Sequence, residues 1–149
     1  MTNNDVLRSI RYMLNVSDAK LIEIAGLDGC TISPADIVSY LLREEEEGYR
    51  LCGHEVMAHF LNGLVFYKRG KDESRSAPIL ETPVTNNVVL KKLRVAFELK
   101  DTDIVTKIEK NGMKVSKTEL SAFFRNPDHR NYRECGDQFL RNLLKGLTP

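Results

Sequence analysis

The chain has 149 residues, enough for one ordinary domain or two very small ones, and its 42% hydrophobic content suits a globular protein better than a disordered one. No run of about 18 apolar residues is present to cross a bilayer, and the opening MTNNDVLRSIRYML lacks the basic leader and apolar core of a secretory signal, so the cytoplasm is the expected compartment. The net charge of +1 conceals a split, because five lysines and arginines face ten acidic residues in 1–64 whereas thirteen face eight in 86–149.

Read in chain order, the sequence writes one pattern twice. An offset of 83 aligns Asn3–Leu64 with Asn86–Leu147 without a gap, and YRLCGHEVMAHFLNGL at 49–64 returns as YRECGDQFLRNLLKGL at 132–147 with seven of sixteen letters unchanged. The first predicted helix of each copy follows paired asparagines, Asn3-Asn4 and Asn86-Asn87, and either residue of a pair suits an N-cap. Its apolar positions, 6, 7, 10, 13 and 14 matched by 89, 90, 93, 96 and 97, fall on one helical face. The second helix is expected to be capped by Asp18 and Asp101 and to bury Leu21, Ile22 and Ala25, or Ile104, Val105 and Ile108.

The third helix opens on Ser33-Pro-Ala-Asp36 and Ser116-Lys-Thr-Glu119. Both read as capping boxes, in which the hydroxyl accepts from the amide three residues on and the acid reaches back to the cap. Gly29 and Gly112 precede them in turns that favour a left-handed residue. The copies then diverge, since the first runs into REEEEG and the second meets Pro127, which ends its helix at or before Asn126. The fourth helix presents Val56, Met57, Phe60, Leu61 and Leu64, matched by Phe139, Leu140, Leu143, Leu144 and Leu147; Asp137 suits its cap better than His54 does. Between the copies GKDESRSAPILETPVT has no helical period and reads as a linker. The expected fold is therefore all-α, with two tandem four-helix units related by approximate pseudo-two-fold symmetry: residues 1–69, a linker at 70–85, and residues 86–149. Units of about sixty residues have marginal cores alone, so they are expected to pack on each other.

On the motifs NNDVLRSIRYML, YRLCGHEVMAHFLNGLVFYKRG, NNVVLKKLRVAFELKD and YRECGDQFLRNLLKGL, the chain resembles the YehS-like family of uncharacterised bacterial proteins, built from a duplicated domain of unknown function. The resemblance covers both copies and implies no activity that could be carried over. His54 departs from the acidic residue usual at that place in the family, which Asp137 keeps.

Tyr49, Arg50 and Cys52, repeated as Tyr132, Arg133 and Cys135, are candidate ligand- or anion-binding residues together with Asp137. They precede a helix N-terminus, whose free amides and partial positive charge attract anions and lower a thiol pKa. The bland alternative makes Tyr and Cys core residues and has Arg tie down the turn. Cys30, Cys52 and Cys135 form no even framework, so reduced thiols are expected. HEVMAH is not H-E-x-x-H; its histidines lie about 140° apart around a helix, so neither a metal nor another cofactor is expected.

LIEIAGLDGCTISPADIVSYL has a helix-turn-helix character, but its turn is long and its copy acidic. The second copy carries the candidate nucleic-acid-binding cations Lys107, Lys110, Lys114, Lys117, Arg125 and Arg130. The leading expectation is a non-enzymatic interaction or regulatory protein with a protein partner or self-association and no membrane. Nucleic-acid binding through the second copy is the alternative, and a thiol-dependent enzyme using Cys52 or Cys135 a further one. The charge split fits an outside anionic partner, attraction between the halves, or two ordinary solvated surfaces.

Overall fold

Ser33 and Ser116 start their helices as expected, each hydroxyl accepting from the amide three residues on, at 3.1 Å from Asp36 and 3.0 Å from Glu119. In the computed structural model, which describes residues 1–72, 74 and 78–149, the helices are α1 (Asn3–Leu14), α2 (Asp18–Gly26), α3 (Pro34–Leu41), α4 (His54–Arg69), α5 (Asn86–Ala96), α6 (Asp101–Lys110), α7 (Lys117–Phe123) and α8 (Asp137–Leu147). The described residues contain no strand, and the fold is all-α with a duplicated four-helix unit. Four positions of the linker expectation, 73 and 75–77, lie outside the described residues.

Several caps differ from expectation for a common reason: the side chains named as caps are needed elsewhere. Thr2 caps α1 in a full capping box with Asp5, and Thr85 caps α5. Ser17 caps α2, while Asp18 sits inside the helix and pairs with Arg11 at 3.1 Å; Asp101 likewise pairs with Arg94 at 3.3 Å. Gly53 and Gly136 hold the cap positions of α4 and α8 without a side-chain bond, placing His54 and Asp137 one residue further in. Asp36 and Glu119 do not reach back to their caps; they turn toward Arg50 and Arg133.

Gly29 and Gly112 take φ of 76° and 82° in the α2–α3 and α6–α7 turns, a region that disfavours a Cβ. The seven-residue connection 27–33 is too long for a helix-turn-helix. Equivalent positions hide equivalently: Phe60 and Leu143 are fully buried, as are Tyr40 and Phe123 to 7% exposure each. Burying a leucine or phenylalanine of this kind contributes about 2 kcal/mol.

The units meet along two seams. On one, α4 packs against α5; on its symmetry counterpart, α8 packs against α1. Pins at the ends repeat the relation. His54 Nδ1 accepts from the Val84 amide at 3.0 Å, and Asp137, the residue 83 later, lies 2.8 Å from the Met1 amino group. Val84 itself follows Met1 by the same offset. A peptide amide thus meets a ring nitrogen at one seam, while an ammonium meets a carboxylate at the other.

Candidate functional site

The Tyr-Arg-x-Cys segment is held by an asparagine in the first turn of its own unit. Asn4, wholly buried, donates through Nδ2 to the carbonyls of Tyr40 (3.0 Å) and Arg50 (2.8 Å) and accepts at Oδ1 from the Cys52 amide (2.9 Å). Asn87 repeats all three bonds, to Phe123 (3.0 Å), Arg133 (2.8 Å) and Cys135 (2.9 Å). Both amide protons and the carbonyl are thereby used, so each asparagine fastens helix three and the motif to helix one with no polar group left over. Asn3 and Asn86 add bonds to the Cys52 and Cys135 carbonyls, both at 3.0 Å.

Cys52 and Cys135 are 2% and 4% exposed, and burial pushes both thiols up to about 12. Each is a packed thiol at neutral pH. Burial also raises the half-buried Cys30. Arg50 and Arg133 are exposed, paired to Asp36 at 2.7 Å and Glu119 at 3.4 Å. Hydrogen bonds from the Met1 amino group and Asn86 hold the Asp137 carboxyl below the usual carboxylate range.

In the second unit Arg125, Arg130, Tyr132 and Arg133 come together, lining with Ser116, Thr118 and Glu119 an open depression of about 500 Å³. Burial raises the half-buried Tyr132 hydroxyl. Lys110, Lys114 and Lys117 are exposed nearby in sequence, whereas Lys107 is half-buried and its ammonium lies 3.4 Å from the Gly146 carbonyl on α8. The depression therefore gathers two of the candidate anion-binding residues, Tyr132 and Arg133, and two of the candidate nucleic-acid-binding cations, Arg125 and Arg130; Tyr49 and Arg50 lie in the other unit. His59 pairs with Asp28 at 2.8 Å and lies away from His54 in role as well as in sequence.

Sequence reasoning passed over the buried polar link between the units. Lys92, 8% exposed, donates to Asn62 Oδ1 at 2.7 Å, and Asn62 in turn reaches Asp28 at 3.3 Å. Burial holds the Lys92 ammonium below its ordinary pKa. The signal was present as a break in the repeat, because the counterparts of Asn62 and Lys92 are Lys145 and Ser9.

A family model described as "Protein of unknown function (DUF1456)" matches residues 3–70 and again 86–149, the two copies found by the offset of 83. A protein of Escherichia coli (strain K12) described as "Uncharacterized protein YehS" is 47% identical over 148 residues, covering 99% of this chain and 95% of the relative. No solved structure matches.

Proposed function

From the DUF1456 family, to which this chain belongs, we propose a non-enzymatic interaction protein of the cytoplasm whose second unit receives an anionic partner. One observation carries the reading: among the described residues, no lysine or arginine of 86–149 is ion-paired to a carboxylate of 1–64. The second unit's excess of cations is therefore not spent on the carboxylates of the first. The seams are closed by apolar side chains, by the Lys92–Asn62 bond, and by the Met1–Asp137 and Arg69–Glu98 pairs, whose carboxylates belong to the second unit. Arg125 and Arg130, which make no ion pair with a carboxylate among the described residues, thus remain available to something outside the molecule, while Arg133 is held by Glu119 at 3.4 Å.

Nucleic acid is the second reading, supported by the clustering of Arg125, Arg130 and Arg133 about a tyrosine ring that could stack on a base. Fluorescence anisotropy of the full chain with a labelled polyglutamate peptide and, separately, a single-stranded oligonucleotide tests both. Binding of at least one polyanion should weaken about tenfold in the Lys114→Glu/Lys117→Glu double variant and fall with salt. Preference for the oligonucleotide, with a steep salt slope, would favour nucleic acid. No binding of either at low salt removes the anionic partner. Turnover on a broad substrate panel, lost in Cys135→Ser, would overturn the non-enzymatic reading.

A further inference from the structure

The two seams are built from related helices but differ in what lies over them. Across the α4–α5 seam runs the chain's own connecting stretch. The Ile79 carbonyl accepts from Lys92 Nζ on α5 at 3.4 Å and lies 3.5 Å from Asn62 Nδ2 on α4, while Glu81 takes the Lys91 ammonium at 2.6 Å. Pro78 lies in one depression with Val65, Phe66 and Val95. Under this cover Asn62 is 1% exposed.

At the α1–α8 seam the counterparts of these donors are present and uncovered. Ser9 stands for Lys92, Arg8 for Lys91, Lys145 for Asn62 and Tyr12 for Val95. They line an open groove of about 640 Å³ with Leu144, joined by Arg43 and Arg141. Lys145 is exposed and Tyr12 is 76% exposed, against 1% and 40% for Asn62 and Val95. Arg8 already bonds Asp5 and the Leu42 carbonyl, but Arg43, Arg141 and Lys145 make no ion pair among the described residues. Where the covered seam sets one cation against Glu81, the open one sets four cations around a leucine and a tyrosine ring.

We propose that the α1–α8 groove binds an extended acidic peptide segment of another protein, seated as residues 78–81 are seated on the opposite seam. Lys145 supplies a donor for a backbone carbonyl, the Ser9 hydroxyl being engaged with the Asp5 carbonyl at 2.9 Å, and Arg8, Arg141 and Lys145 meet a carboxylate near it. Tyr12 and Leu144 give the apolar lining that Val95, with Val65 and Phe66, gives around Pro78. Extended backbone has its acceptor and acidic side chain in the spacing that the covered seam uses, which favours a peptide over a phosphate chain. A second copy is not the occupant through the same stretch, because its own residues 78–81 already cover its own seam. This surface is separate from the depression around Arg130, so either assignment stands without the other.

A synthetic peptide PILETPV, the sequence of residues 78–84, titrated into the full ¹⁵N-labelled chain provides the test. Saturable shifts are expected at the amides of Arg8, Ser9, Tyr12 and Lys145. Changing the peptide's glutamate to glutamine, or the protein by Lys145→Glu or Arg141→Glu, should weaken binding about tenfold. Both protein positions are exposed, and unchanged circular-dichroism melts would separate lost binding from lost folding. The proposal is overturned if α1 and α8 amides stay still, if shifts appear only around Asn62 and Lys92, or if charge reversal leaves affinity unchanged. Displacement of the peptide by a single-stranded oligonucleotide at lower concentration would hand the groove to nucleic acid instead.

Discussion

A single amide side chain does more for each unit than any residue of the motif it holds. Replacing Asn87 by alanine strips partners from one buried and one part-buried carbonyl and from one buried amide at once, and each group orphaned in the interior costs about 1–3 kcal/mol. Asn87→Ala, and Asn4→Ala in the other unit, should therefore lose about 3 kcal/mol or more by urea denaturation, with Asn87→Asp no milder, because a carboxylate cannot donate to carbonyls. Thiol chemistry gives a second test at this scale. Maleimide at neutral pH should label Cys30 first and reach Cys52 and Cys135 only on unfolding. Their raised pKa also fixes a slope: the folded thiols keep protons that the unfolded ones lose above 9, so this contribution is full below pH 9 and falls as pH rises toward about 12. Cys52→Ala and Cys135→Ala should each flatten that alkaline loss in thermal melts. The sequence pointed at the right segment but misjudged the asparagines, because an asparagine beside a helix start is a common local cap. Its real partners stand 36 to 48 residues away, a relation no local pattern contains.

Helices were more legible than their ends. Apolar spacing located all eight, since each must hide one stripe, and the duplication checked each pattern against a second copy. Caps were less legible because several polar residues compete at each start. The alignment began one residue after Thr2 and Thr85, which are the caps. The repeated glycines late in α4 and α8 carry a packing meaning that composition alone does not rank. A Cβ at Gly63 would stand 1.9 Å from the Ile24 carbonyl oxygen on α2, whereas one at Gly146 would meet a Lys107 side-chain carbon at 2.9 Å. The first contact is a deep overlap with backbone, and the second is with a Cβ that is also tied to its backbone but overlaps far less. Gly63→Ala should cost about 3 kcal/mol or more through separation of α2 and α4, and Gly146→Ala about 1 kcal/mol, the helical preference for alanine offsetting some of each. Equal denaturation midpoints for the two variants would contradict this account of the packing.

Across the whole molecule the copies have become unequal where they touch. His54 and Asp137 occupy one position in the repeat, yet one receives a peptide amide and the other an ammonium, so each residue suits the group it meets. Lys92 and Asn62 stand at the covered seam where the other seam has Ser9 and Lys145. Such unequal pins give the units a shared interface that neither possesses alone, and cores of about sixty residues are marginal without one. Unfolding of the second unit should therefore carry the first with it. The test is hydrogen–deuterium exchange in Asn87→Ala, whose damaged bonds lie wholly in residues 86–149. Under one cooperative transition, amides of α2 in the undamaged unit should lose protection as much as those of α6, by on the order of a hundredfold for a loss of about 3 kcal/mol. Loss confined to α5–α8 would mean that the seams join two independently stable units, and the conserved packing of each copy would then suffice without the other.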